Sequence, residues 1–96
     1  MKNEILNFIQ KRFSIDCDWM TKNCYWFARI LCIQFTFLSI YYQFDVGHFI
    51  AVDRIQKVYY DYEGEHSFND SNCVELSSLL YNDPAWYCRL MRDCKD

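Results

Sequence analysis

The chain has 96 residues, a net charge of −3 and a pI near 5.2; 52% of it is apolar and 20% aromatic. That length suits one domain with one modest core, and the aromatic content argues against disorder. The acidic balance argues against nucleic-acid binding, which needs a basic face to neutralise phosphates.

Ile5, Phe8, Ile9 and Phe13 recur at helical spacing over residues 2–13 and predict an amphipathic helix with one packed face. The same N-terminus carries Glu4 and lacks an unbroken apolar run and a small-residue cleavage site, so the expectation is a cytoplasmic chain. In that compartment the six cysteines, Cys17, Cys24, Cys32, Cys73, Cys88 and Cys94, are expected to be reduced thiols, mostly buried. They form no C-x-x-C pair, and His48 and His66 stand apart from each other, so neither a metal nor another cofactor is expected.

Residues 14–23 are polar and irregular around Trp19 and Met20. A second helix then opens, with Thr21 or Asn23 as its N-cap. Tyr25, Trp26, Phe27, Ile30, Leu31 and Ile33 make it apolar almost all round, which predicts a central, buried helix. From Cys24 to Tyr42 the chain approaches the length of a membrane span, but Arg29, Gln34, Thr36 and Ser39 interrupt it. The expectation is a buried helix running into a strand, with no membrane partner.

Three strands follow in "LSIYYQF", "GHFIAV" and "KVYYDY", with "DRIQ" joining the last two. Connections this short predict antiparallel pairing. Towards the C-terminus, Asn72 and Glu75 have the spacing of a capping box before "LSSLLY". Asp83-Pro84 is an N-cap followed by proline at the first helical position of "PAWYCRLMRDC". The predicted architecture is α+β: an N-terminal helix and a central helix on a small antiparallel sheet, closed by two short helices.

Cys24 is the residue with the most chemical potential. In the first turn of a helix, unpaired backbone N–H groups and the positive dipole end favour thiolate. The same groups can form an oxyanion hole, to which Asn23 could add a donor. His48 is the candidate base and Asp61 the candidate group to orient it. A hairpin turning at Asp53 to Gln56 places Val52 opposite Lys57 and His48 opposite Asp61. A slip of one residue would put Tyr60 or Tyr62 there instead. Gly47, just before the histidine, either leaves room for a substrate or simply bends the chain. Cys24 could equally be an ordinary core thiol. His66, in "GEHSFND", reads as an exposed loop residue.

Together these segments resemble the papain-like fold in its compact forms, the NlpC-type peptidases and transglutaminase-like domains. The order Cys24, His48, Asp61 matches, as does "C-x-x-x-A-x-x-L" at Cys24, Ala28 and Leu31. The resemblance spans roughly residues 20–64. It implies a papain-like core and a cysteine hydrolase or acyl-transferase acting on an amide or ester bond of a protein or peptide substrate. One departure stands out: the glutamine upstream of the papain cysteine is replaced here by Asp18, and a carboxylate there would oppose thiolate formation.

The chain also resembles small bacteriophage and mobile-element proteins. That resemblance carries a second expectation, a non-catalytic inhibitor or counter-defence protein that binds a host protein. Its surface would be acidic and tyrosine-rich, with Tyr60, Tyr62 and Glu63 as contacts.

Overall fold

β2 (His48–Asp53) is the strand around which the rest is arranged. Phe49, Ile50, Ala51 and Val52 are all buried, so both faces of this strand are covered. A continuous apolar run suits a central strand. Its neighbours are β1 (Ser39–Gln43) on one side and β3 (Val58–Asp61) on the other. In the computed structural model, which describes residues 2–13 and 23–95, β4 (Gly64–Ser67) and β5 (Cys73–Glu75) complete an antiparallel sheet in the order β4-β3-β2-β1-β5. Four helices are described: α1 (Lys2–Arg12), α2 (Cys24–Gln34), α3 (Leu76–Asn82) and α4 (Pro84–Lys95). The fold is α+β, as expected.

The β2–β3 turn differs from the expected one. Asp53 stays in its strand and its Oδ1 accepts the backbone N–H groups of Ile55 and Gln56, each at 3.1 Å. Lys57 leaves the next strand and takes a left-handed conformation, φ 57°. Val52 therefore pairs with Tyr59 and Asp53 with Val58. The register is shifted by two residues from the one expected. An even shift preserves which side chains share a face.

Gly47 has φ +66°, and its N–H donates to the Gln43 carbonyl at 2.8 Å. The glycine is there for the left-handed turn between β1 and β2. A Cβ at this position would make only ordinary contact with the Tyr42 hydroxyl. The bend explains this residue.

Two apolar clusters lie against the sheet. In the first, Ile5 and Ile9 of α1 and the following Phe13 meet Phe27 and Leu31 of α2, with Ala51 and Tyr60 beneath. Burying each such large side chain contributes about 1.5–3 kcal/mol. In the second, Cys24, Tyr25 and Ala28 of α2 meet Phe49, Leu76, Leu79 and Met91. α2 runs into β1 as expected, but it is not buried all round. Trp26, Ile30 and Ile33 form an exposed stripe, with Ile33 66% accessible. A single helical layer on a sheet keeps a solvent side. No helix among the described residues is long and apolar enough to cross a membrane.

The capping box expected at Asn72 and Glu75 does not form. Residues 70–72 make a 3-10 turn and 73–75 an edge strand paired with β1. Glu75 itself takes the N-cap position of α3 without a side-chain capping bond. Its carboxylate instead accepts from Arg54 Nη1 at 3.0 Å and from the Ser77 hydroxyl. α4 starts as expected at Pro84, with Asp83 Oδ1 accepting the Trp86 N–H at 3.2 Å.

Candidate active site

Cys24 is the first residue of α2 and Asn23 its N-cap. The cap is not made by the side chain: Asn23 forms no side-chain capping hydrogen bond. Thr21, the other candidate cap, lies outside the described residues, as do Cys17 and Asp18.

Four elements bring the site together. α2 supplies Cys24 and the first residue of β2 supplies His48. The last residue of β3 supplies Asp61, and β4 supplies His66. The β2–β3 register, carried one step past Ala51–Tyr60, puts Ile50 across from Asp61. His48 is then the diagonal neighbour of Asp61 on the same face, within reach of long side chains. The expected partners meet diagonally rather than directly.

His48 Nε2 lies 3.8 Å from Asp61 Oδ2, an ion-pair distance, and both side chains are nearly covered. Nε2 is buried and has no hydrogen-bond partner, so Nδ1 is the nitrogen left to meet the Cys24 thiol. Asp61 Oδ1 accepts twice, from the Glu63 backbone N–H and from His66 Nε2, each at 2.9 Å.

The electrostatics follow from this arrangement. Burial disfavours ionisation of Cys24, but the hydrogen bond with His48, the backbone N–H of Phe49 and that of Tyr25 outweigh it. The thiol pKa is lowered. The carboxylate of Asp61, then the Cys24 sulfur, raise His48 from 6.5 to about 9 against the opposing effect of burial. Asp61 is buried, which would raise its pKa, yet the two imidazoles and the Glu63 N–H hold it below the usual carboxylate value. Between the lowered Cys24 pKa and about 9, the favoured state is thiolate beside imidazolium.

A cleft of about 520 Å³ opens on the His48–Asp61 side, with Val46, Gly47, Tyr59, Glu63 and His66 completing its walls. Cys24 is 5% exposed and is not part of this lining. A separate hollow of about 580 Å³, between Ile5, Phe37 and Val58, shares none of the four site residues. Among the described residues, no three His, Cys, Asp or Glu side chains converge as metal ligands would. Cys24, Cys32, Cys73 and Cys88 form no disulfide.

Three readings of individual residues change. Tyr60 is 2% exposed and belongs to the core under α1 and α2, so it presents no docking surface. Because Asp61 faces the cleft, its neighbour must face the helices. Tyr62 is half-buried, its ring edge-on to Phe27 at 6.3 Å, and only Glu63 of the expected contacts is exposed. His66 is a strand residue bonded to Asp61, not a loop residue. Its signal in the sequence was the two-residue spacer "YE" between Asp61 and Gly64, which fits a tight hairpin.

No protein-family model matches the chain, and no curated protein or solved structure matches it either.

Proposed function

We propose that the chain is a compact cysteine hydrolase or acyl-transferase on a papain-like core, working in the cytoplasm on an amide or ester bond of a protein or peptide. The observation that carries this reading is the contact of Cys24 with His48, backed by Asp61 at 3.8 Å. The Cys24 thiolate attacks the carbonyl carbon. The oxyanion is met by backbone N–H groups at the start of α2. Imidazolium His48 then gives its proton to the leaving amine or alkoxide, and the C–N or C–O bond breaks to leave a thioester. Water or an acceptor nucleophile, deprotonated by His48, attacks the thioester and restores the thiolate. Asp61 orients the imidazole throughout.

The test is iodoacetamide labelling resolved by peptide mass spectrometry across pH 5–9. The expected result is selective modification of Cys24 below pH 7. Labelling of Cys24 no faster than that of exposed Cys88 would remove the enzyme reading.

The covered thiol, set back from the cleft, favours a second reading. In it the chain is a non-catalytic, phage-type inhibitor that grips a host protein through the acidic rim at Glu63, with Tyr62 beside it. Glu63→Lys would then abolish binding while Cys24→Ala leaves it intact.

A further inference from the structure

His66 is tied to the site by more than proximity. β3 and β4 pair so that Tyr59 stands opposite His66 and Asp61 opposite Gly64. Opposed residues share a face, and so do residues two apart on one strand. Tyr59, Asp61 and His66 therefore project to the same side. The His66 ring stacks on the Tyr59 ring, centroids 4.8 Å apart and planes 22° apart. That stacking sets the plane of the imidazole and leaves Nε2 pointing along the sheet, 2.9 Å from Asp61 Oδ1.

We propose that His66 is a positioning residue for the Cys24–His48–Asp61 site: its Nε2–H holds Asp61 Oδ1, so that Oδ2 is the oxygen turned to His48. The proposal rests on the chemistry assigned to Cys24 above, but its core claim concerns only the carboxylate and the two imidazoles. A carboxylate oxygen has two lone pairs in the plane, and Oδ1 fills both with the Glu63 N–H and His66. The carboxylate torsion is intrinsically loose, and two donors on one oxygen hold it. An ionised carboxylate only accepts, so the His66 proton must lie on Nε2. Without His66 one donor remains, and the 3.8 Å approach of Oδ2 to His48 is no longer maintained.

The charged and titratable groups facing Asp61 are few. His48 comes from β2, His66 from β4, Tyr59 from β3 itself and Glu63 from the turn, with Cys24 of α2 beyond His48. Among these, His66 is the direct side-chain donor to Oδ1.

The experiment is an NMR titration of the His48 imidazole in the wild type, His66→Phe and His66→Gln. Phenylalanine keeps a ring over Tyr59 and loses the donor; glutamine keeps a terminal N–H at similar reach. His66→Phe should lower the His48 pKa by about one unit, and His66→Gln should restore most of it. An unchanged His48 titration in a folded His66→Phe chain would overturn the proposal.

If that variant does not fold, the wild-type tautomer decides. Long-range ¹H–¹⁵N correlation should place the His66 proton on Nε2, and a neutral ring protonated on Nδ1 would sink the idea. Neither readout uses the reactivity of Cys24. An inert Cys24 with a His66-dependent His48 titration would end the enzyme reading and keep this one.

Discussion

The two ends of α2 carry thiols of opposite character. Cys24, at the N-terminus, has a lowered pKa although it is only 5% exposed. Cys32, eight positions on, is pushed up to about 12 by burial alone. The helix and the residue type are shared. What differs is the company: Cys24 has His48 and two backbone N–H groups, whereas Cys32 packs against the first apolar cluster. Burial by itself silences a thiol; burial with donors aimed at the sulfur makes a thiolate.

Removing the imidazole should erase the contrast. In His48→Ala, burial is left opposed only by backbone donors, and Cys24 should label about 100-fold more slowly at pH 7. Peptide-resolved alkylation would show it, and an unchanged rate would mean that the helix end alone ionises the sulfur. Asp61→Asn should act less strongly. It removes the largest cause of the raised His48 pKa, and Cys24 labelling near neutral pH should fall about 10-fold.

Stability offers a subtler handle. The raised His48 pKa favours folding fully below 6.5, and the benefit is lost as pH rises through about 9. The lowered Cys24 pKa works the other way: its contribution is complete above the ordinary thiol value of 9.0 and lost as pH falls. The two slopes have opposite signs, so in the wild type they partly offset each other. Cys24→Ala uncovers the histidine, and urea melts should then show about 1 kcal/mol of stability lost from pH 6.5 to 9. The same series in the wild type should show a smaller loss. Smallest of all is Asn23→Ala. With no side-chain capping bond to lose, it should change stability by less than about 0.5 kcal/mol. Cys24 labelling should stay within about twofold.

The pairing of His48 with Asp61 was legible because side-chain parity survives an even error. The expected register lies two residues from the observed one, since Asp53 capping Ile55 and Gln56 is a choice between equivalent hairpins until the register is known. Tyr60 lies in the core rather than at the surface, and the sequence carries the clue: if Asp61 faces the cleft, Tyr60 cannot. β4 and β5 escaped because "GEHS" and "CVE" are too short and polar to show alternation. With β4 unseen, His66 had no strand to stand on. The open flank of α2 was invisible for another reason. An apolar stripe announces what could be buried, while the number of layers available decides what is.

The strand order has a consequence for how the chain reaches its native state. β1 to β4 form an uninterrupted meander, each strand beside the one before it, while β5 returns from far along the chain to pair with β1. Loop closure costs least for nearest neighbours, and low contact order speeds folding. His48, Asp61 and His66 all ride on the meander. Their alignment rests on nearest-neighbour pairings alone, whereas β5 and its trailing helices close the edge over a much longer loop.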